Sequence, residues 1–190
     1  MRTNLISVML LAAALVTSCH SKQTQETESN GQTAPIIEAQ IPVINWEKLD
    51  RLEYLQYHNR RFGFYVDFPF FMQMEYPPQN GDGFSCQCQG LSITGWGTLN
   101  SDIETMQRMT IQEVADEYEP NPDSVLLKKQ NMIVVKGKKK GKVYYWKFVN
   151  REHISYCLHI EYDAKYANEI DEIARHSIES FDCSHPGEEG

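Results

Sequence analysis

Outside its first residues, the sequence lacks any apolar run long enough to cross a membrane. A spanning helix needs about 20 consecutive apolar residues. The longest apolar stretch, residues 5–16, falls short of that length, and it lies at the N-terminus. We therefore expect no transmembrane helix in the rest of the chain.

The sequence also lacks an excess of basic residues. It contains 26 acidic and 18 basic side chains, which gives a formal net charge of −8. Binding to nucleic acid rests on neutralising phosphates with lysine and arginine, and anionic lipid headgroups repel an acidic surface. The composition thus predicts no nucleic-acid partner, and surface charge is not expected to hold the protein at a membrane.

Catalytic motifs are missing as well. The chain contains no Gly-x-Ser-x-Gly, no His-Glu-x-x-His and no phosphate-binding glycine loop. Residues 80–83, Asn-Gly-Asp-Gly, lack the spaced oxygen ligands and the terminal glutamate of an EF-hand, so they are interpreted as a turn. Acid–base pairs could be drawn from His153, His159, Glu161 and Asp163, but such combinations are available by chance and do not indicate catalysis. We expect a protein that is not an enzyme and that holds no cofactor and no metal.

The N-terminus carries the clearest pattern. Arg2, the apolar stretch 5–16 and the small residues before Cys19 are typical of a secretory signal. This version resembles a bacterial lipoprotein signal, in which cleavage after Ser18 is followed by attachment of palmitate-type acyl chains to the cysteine. The alternative is an ordinary signal peptide with an incidental cysteine. The resemblance implies a lipid anchor at Cys19 in the cell envelope. An aspartate at residue 20 would be the inner-membrane retention signal, and this chain has histidine there. The resemblance therefore implies the outer membrane and leaves open which leaflet the protein faces.

Composition divides the chain into four parts. Residues 1–18 form the predicted signal peptide. Residues 19–45 are the lipidated cysteine and a flexible tether rich in Gln, Thr, Ser and Glu, which cannot bury enough apolar surface to fold. Residues 46–183 form a single domain, and residues 184–190 a disordered tail.

Hydrophobic periodicity predicts a mixed domain. Period-two patterns predict strands over residues 62–69, 84–88, 91–96, 124–129, 131–136, 142–149 and 154–162. Periods near 3.6 predict helices over residues 103–118 and 164–178, the second with Asp163 as its N-cap. Residues 137–141 are predicted to connect two strands as a hairpin. Successive strands without βαβ alternation predict an α+β fold with a central antiparallel sheet and flanking helices.

Several segments of the domain resemble those of PsbP-like and DcrB-like domains. They are residues 61–69 (Arg-Phe-Gly-Phe-Tyr-Val-Asp-Phe-Pro), 80–83, 143–148, 158–162 and 177–181. The resemblance extends over residues 55–183. It implies an α/β/α sandwich around an antiparallel sheet and an accessory, assembly or binding role, and it supplies no catalytic residues. The chain differs from that family in having four cysteines within the domain.

These four residues, Cys86, Cys88, Cys157 and Cys183, are candidates for disulfides, because an even number of cysteines in an oxidising compartment favours pairing. Cys86 and Cys88 would share one face of a strand, so a bridge between them would be strained. Two links to Cys157 and Cys183 are therefore expected. The alternatives are buried free thiols, or a metal or redox pair with His153 or His159, although Cys-x-Cys spacing does not match zinc sites.

Two groups of residues are candidates for a binding surface. The first is aromatic and comprises Phe70 and Phe71 together with Trp96, Tyr144, Trp146 and Phe148. The run 70–72 cannot face inward throughout, so part of it should lie in an exposed loop, and exposed aromatic rings often mark binding surfaces. Otherwise these rings cap one end of the core. The second is basic: Lys138, Lys139 and Lys140 at the hairpin tip. They either protect strand edges from aggregation or contact acidic headgroups or an acidic partner.

Together these patterns predict a membrane-anchored envelope lipoprotein. Its domain would be a non-catalytic binding, accessory or assembly module for another envelope protein. One alternative is a small-molecule or lipid carrier with an apolar pocket between sheet and helix. Another is an immunity lipoprotein that neutralises an exported toxin. An envelope hydrolase would need a motif that the sequence does not contain.

Overall fold

A computed structural model of the protein describes residues 40–49, 51–75, 80–99, 111–151 and 153–183, all within one compact unit. The predicted signal peptide, Cys19 and residues 20–39 of the predicted tether lie outside the described residues. So do residues 103–110 of the first predicted helix and the predicted tail 184–190.

The described chain begins with a short ribbon and continues into a large sheet. Strands β1 (Tyr54–Asn59) and β2 (Phe64–Pro69) pair antiparallel as a two-stranded ribbon. The seven strands of the main sheet are β3 (Gln73–Met74), β4 (Gly83–Cys88), β5 (Leu91–Leu99), β6 (Ser124–Lys129), β7 (Met132–Lys139), β8 (Lys142–Arg151) and β9 (Ile154–Asp163). Their order is β3-β4-β5-β9-β8-β7-β6, and every neighbouring pair is antiparallel.

Among the described residues, two α-helices accompany the sheet, α1 (Ile111–Tyr118) and α2 (Ala167–Ser180), together with 3-10 turns at Trp46–Lys48 and Ala164–Tyr166. Successive residues of β7 show that the helices lie on opposite faces, because side chains alternate along a strand. Ile133 and Val135 belong to the core that α1 covers, whereas Val134 belongs to the core shared with α2 and the ribbon. We call these faces the α1 side and the α2 side. The predicted α+β class, with a central antiparallel sheet, is confirmed.

The larger core lies on the α2 side. Helix α2 buries Ile170, Ile173, Ala174 and Ile178, and their spacing of three and four residues places them on one stripe. This stripe meets Phe64 of the ribbon and Ile160 of β9, both fully buried. Alternating strands and a helical stripe therefore produce the core that their periodicity predicts.

The structure corrects several predicted boundaries. Strand β2 starts at Phe64 and not at residue 62, because residues 60–63 form a turn in which Gly63 has a φ of 66°. Strand β7 extends to Lys139, so the connection to β8 is only Lys140 and Gly141, both with positive φ, as in a two-residue hairpin turn. Gly137 lies within β7, under the ring of Tyr144.

The predicted N-cap of the last helix is wrong. Asp163 precedes a 3-10 turn and caps nothing with its side chain, and the α-helix begins only at Ala167. The carboxylate of Asp163 instead pairs with the Lys142 ammonium at 2.7 Å, across the β8–β9 pair. The Asp163 side chain, which the sequence pattern assigned to the helix as its N-cap, thus forms a cross-strand ion pair with Lys142.

The folded unit also starts earlier than predicted. Residues 40–45, assigned to the tether, lie against the sheet: the Pro42 carbonyl accepts a 2.8 Å hydrogen bond from the Gln89 amide, and Ile44 packs on the α2-side core. Ile44 and the backbone hydrogen bond of Pro42 therefore anchor the segment. Neither described helix is both long and apolar enough to cross a membrane.

Candidate binding surface

A group of aromatic side chains gathers on the α1 side of the sheet. Trp96 and Trp146 meet edge to face with ring centroids 5.9 Å apart. Tyr118, the last residue of α1, lies 6.1 Å from Trp96 and 5.5 Å from Trp146. The His159 imidazole stacks on the Trp146 ring at 4.0 Å. We call Trp96, Tyr118, Trp146 and His159 the aromatic face.

Sheet register explains why these residues meet. β5, β9 and β8 are neighbours in the sheet, so Thr94, His159 and Trp146 lie side by side in one row. Trp96 lies in the next row on the same side, because side chains two residues apart on a strand share a face. Helix α1 buries Ile111, Val114 and Ala115 against β7 and β8, which brings Tyr118 over the two tryptophans.

The rings of the aromatic face are only partly covered. Trp96, Trp146 and His159 are half-buried, and Tyr118 keeps 45% of its surface exposed. Underneath, Phe148 is fully buried and stacks against Trp146 at 5.4 Å. The exposed rings therefore rest on a fixed base. Aromatic rings of this kind can bury large apolar area on contact without losing much side-chain freedom.

His159 adds a neutral polar group to this surface. Burial lowers the pKa of His159 from its ordinary value of 6.5 to about 4. At neutral pH the imidazole is therefore uncharged, with one nitrogen as donor and the other as acceptor. Such a group suits an uncharged ligand.

A hydroxyl-bearing strip adjoins the aromatic face. Ser85 and Thr94 are cross-strand neighbours whose hydroxyl oxygens lie 3.2 Å apart, and Ser92 donates to the Glu161 carbonyl at 3.4 Å. All three side chains are half-buried on the α1 side. The surface therefore changes from aromatic to hydroxyl-bearing across β9 and β5, and can offer both stacking and hydrogen bonds to one ligand.

A cavity of about 550 Å³ lies at one end of the sheet, beside the β4–β5 turn. Its walls combine apolar, amide and charged side chains: Ile41, Val43, Gln87, Ser92, Lys142 and Glu161. Ile41 and Val43 themselves are largely exposed. The cavity is thus a mixed, solvent-open hollow.

On the opposite side, one carboxylate ties α2 to three strands. Asp171 Oδ1 accepts hydrogen bonds from Lys136 Nζ at 2.5 Å, Tyr145 Oη at 2.8 Å and Tyr162 Oη at 2.5 Å. Burial raises the pKa of Asp171, but these three donors outweigh it and hold the pKa below its ordinary value. Burial and the neighbouring Asp171 raise the pKa of Tyr162, so it stays protonated and donates. The arrangement fastens the helix to the sheet.

A second buried polar group closes the end of α2. Lys147 is almost fully buried, and its ammonium donates to the carbonyls of Ile178 and Phe181, each at 2.8 Å. Burial lowers the pKa of Lys147. The last carbonyls of a helix have no partner within it, so this lysine satisfies groups that would otherwise be unpaired.

The predicted disulfides are absent from the structure, in which Cys86, Cys88, Cys157 and Cys183 are buried free thiols. Cys86 and Cys88 face the α2 side and Cys157 faces the α1 side, so a link between them would have to pass through the sheet. Cys183 follows α2 and belongs to the α2-side core, where its thiol is also free.

The same geometry separates the residues that the metal or redox alternative would bring together. His159 lies on the α1 side, away from Cys86 and Cys88, and His153 precedes β9 in an exposed turn. Burial raises the pKa of Cys88 to about 12, so the thiol is protonated and a poor nucleophile. The described residues contain no group of three or more His, Cys, Asp or Glu side chains placed to hold a metal ion.

The predicted binding residues do not form one surface. Phe70 is exposed by 48% in the turn after β2, as the run of apolar residues predicted. Phe71 is half-buried and packs edge to face on Trp46 at 5.8 Å, which agrees with the alternative that it caps the core. Trp96 lies on the opposite side of the sheet from Phe71. The lysines of the hairpin tip are exposed near Lys142, at the cavity end; they are Lys138, Lys139 and Lys140.

Sequence reasoning named Trp96 and Trp146 as aromatic candidates and His159 only as a candidate ligand or acid–base group, and it did not consider Tyr118. Trp146 and His159 lie in predicted strands, but their contact depends on β8 and β9 being neighbours, and Tyr118 depends on where α1 ends. An alternation of large aromatic residues in 144–148 was the available signal. The hydrogen bonds of Asp171 could not be predicted, because in the sequence Asp171 is only one polar residue on an amphipathic helix.

Comparison with known proteins adds little to this geometry. No protein-family model and no curated protein matches the chain. Among solved structures, it is similar to the solution structure of cyanobacterial PsbP (CyanoP) from Synechocystis sp. PCC 6803, with 8% identity and a TM-score of 0.42. The match covers 71% of this chain and 95% of that chain. The likeness is distant, and at this TM-score it carries no argument about what the chain binds.

Proposed function

We propose that the chain is an envelope lipoprotein, anchored through Cys19, whose domain binds another envelope protein through the aromatic face. The signal-like N-terminus supports the anchor, and the histidine at position 20 favours the outer membrane. The resemblance of residues 55–183 to PsbP-like and DcrB-like domains supports an α/β/α sandwich with an accessory role. Cleavage, acylation and location remain expectations of the sequence.

One observation carries the binding role: Trp96, Tyr118 and Trp146 form a contiguous, half-covered group on a rigid sheet. Interfaces concentrate their binding energy in such aromatic groups, where a partner excludes the remaining water. The hydroxyls of Ser92 and Thr94 lie beside it, and His159 is neutral. The ligand best matched is an uncharged polypeptide segment with apolar side chains and free backbone hydrogen-bonding groups.

Photo-crosslinking in intact cells tests this proposal. A benzoylphenylalanine at position 118 replaces Tyr118 in the full chain, and captured proteins are identified by mass spectrometry. The control carries the same group at Leu55, which is 51% exposed on the ribbon. We expect one dominant envelope protein at position 118 and not at position 55.

A second variant, Trp96→Ala, should reduce capture at position 118 at least tenfold if Trp96 contributes about 1.4 kcal/mol or more to binding. The same small set of abundant proteins at both positions would contradict the proposal. So would undiminished capture in a Trp96→Ala protein that is folded by circular dichroism.

The carrier alternative has a different location. It would use the cavity beside the β4–β5 turn, lined by Ile41, Val43 and Lys142. Native mass spectrometry of the purified chain distinguishes the two functions, since a carrier retains a small molecule of constant mass. Loss of that mass in Val43→Asp, together with no dominant protein captured at position 118, would favour the carrier.

A further inference from the structure

Strand β6 leaves three consecutive apolar side chains exposed at the edge of the main sheet. It is the terminal strand in the order β3-β4-β5-β9-β8-β7-β6, and all six of its residues are exposed. Val125, Leu126 and Leu127 keep 49%, 53% and 39% of their surface exposed. An edge strand also directs alternate backbone amides and carbonyls away from its partner, which makes it a template for a further strand.

The other edge of the sheet is protected. Among the described residues, strand β3 pairs with β4 over only two residues, and the Glu75 amide adds one hydrogen bond to the Ser85 carbonyl. Short edge strands are one way in which proteins block edge-to-edge association. Within the described part of the chain, strand β6 is longer, at six residues, and its protection is limited to a bulge and the two lysines at its end, Lys128 and Lys129.

The charges around β6 identify what can pair with it. Asp123 precedes the strand and Lys129 ends it, with the three apolar residues between them. When two copies run antiparallel about a two-fold axis at Leu126, Val125 of each copy faces Leu127 of the other. Asp123 then faces Lys129 at both ends of the pairing. The strand is therefore complementary to itself in charge and in apolar character.

A bulge limits how far this pairing can extend. Val125 pairs with Val135 and Leu127 with Val134, so Leu126 is an extra residue opposite β7. Bulges twist a strand and interrupt regular ladders. The bulge lies on the proposed two-fold axis, so regular pairing would be confined to the residues on either side of Leu126, and the two-fold symmetry closes the contact after two copies.

We propose that β6 is a homodimerisation edge: two copies of the chain join their main sheets by antiparallel β6–β6 pairing centred on Leu126. The contact lies at the outer strand, so it is separate from the aromatic face. The proposed dimer does not depend on which ligand that face binds. Two linked copies would present two aromatic faces to one partner or to neighbouring partners, which strengthens attachment through effective concentration.

Cysteine crosslinking tests the two-fold contact. Residues opposite one another in a non-hydrogen-bonded antiparallel pair have Cβ atoms about 4.5 Å apart, at the upper end of the range for a disulfide. Leu126→Cys in the full detergent-solubilised chain should therefore form a covalent dimer under mild oxidation. The matched control is Leu55→Cys, equally exposed on the ribbon, and the unaltered chain controls for its own cysteines. We expect at least a fivefold excess of dimer in Leu126→Cys.

A charge exchange tests the register. Asp123→Lys and Lys129→Asp each place like charges opposite one another and should lower the dimer yield of Leu126→Cys several-fold. The combination of both restores opposite charges and should recover the yield. Circular dichroism melting of each variant verifies folding.

Three results would overturn the proposal. The first is an equal dimer yield from Leu126→Cys and Leu55→Cys. The second is a folded double-exchange variant that does not recover the dimer yield lost in the single exchanges. The third is attachment of Leu126→Cys to a different protein in place of a second copy. Capture at position 118 is measured separately, so failure of the dimer leaves the proposed binding function intact.

Discussion

Single polar side chains take up the positions where the sheet of this protein meets its helices, and His159 is the most sensitive to pH. Its imidazole lies against Trp146 on the α1 side, and burial lowers its pKa to about 4 from 6.5. In the unfolded chain the same group takes up a proton near pH 6.5. Protonation therefore favours the unfolded state between these two values.

We predict that the contribution of His159 to the free energy of unfolding is at its maximum above pH 6.5 and falls as the pH drops towards 4. The loss attributable to His159 is at most about 3 kcal/mol. Urea unfolding at pH 7, 5.5 and 4.5 measures it. In His159→Gln the pH dependence in this window should shrink, whereas His58→Gln, at an exposed position on the ribbon, should keep it. An NMR titration that gives His159 an ordinary pKa would contradict the prediction.

Burial of individual residues was largely predictable from the sequence, but their partners were not. The alternation in 143–148 and 158–162 places Val143, Ile160 and Tyr162 in the core, where the structure has them. The sequence could not predict that Trp146 meets His159, because that contact depends on strand register. It could not predict the separation of Cys157 from Cys86 either, since that depends on the face each strand presents.

At the level of elements, α2 depends on one carboxylate as well as on its apolar stripe. Asp171 receives hydrogen bonds from Lys136, Tyr145 and Tyr162, which belong to β7, β8 and β9. Because these donors hold the pKa of Asp171 below its ordinary value of 3.8, the carboxylate makes its maximum contribution to the free energy of unfolding above pH 3.8. That contribution is lost as the pH falls through the folded-state pKa.

We predict that Asp171→Asn lowers the free energy of unfolding by about 1–2 kcal/mol at pH 7, a value reduced for the partial exposure of the carboxylate. The difference from the unaltered protein should narrow below pH 3.8. Chemical unfolding monitored by tryptophan fluorescence measures it. Glu172→Gln, exposed on the same helix, should change stability by less than about 0.5 kcal/mol. Equal losses in both variants would show that charge on the helix matters, and not the network.

Elements with strong periodicity were predicted to within a few residues, and the weakly patterned ones were missed. Strands β4, β8 and β9 match their predicted ranges closely. Strand β1 escaped prediction because four of its six side chains are polar or exposed and only Asn59 is buried. It forms only because β2 and α2 provide a surface for it, which is tertiary context that a local pattern does not contain.

At the scale of the whole molecule, the proposed anchor at Cys19 would decide where the domain works. We predict that the chain with Cys19 sediments with membranes and that Cys19→Ser moves it to the soluble fraction, because several acyl chains hold far more strongly than one. Fractionation followed by mass spectrometry of the N-terminal peptide measures both the location and the acylation. Ser18→Thr, a conservative change beside the cysteine, serves as the control. Membrane attachment that survives Cys19→Ser would contradict the lipoprotein assignment.

The ribbon has a consequence for the order of events as the protein is made. Tyr65 of β2 exchanges two backbone hydrogen bonds with Asp182, and the Asp67 amide is held by the Ser180 hydroxyl, 113 residues further along. The ribbon therefore cannot reach its final position until nearly the last described residue has arrived. A chain exported N-terminus first would stay loose through most of its passage, which suits a translocation channel that admits only unfolded polypeptide. Folding would then be completed on the far side, timed by the arrival of the C-terminus.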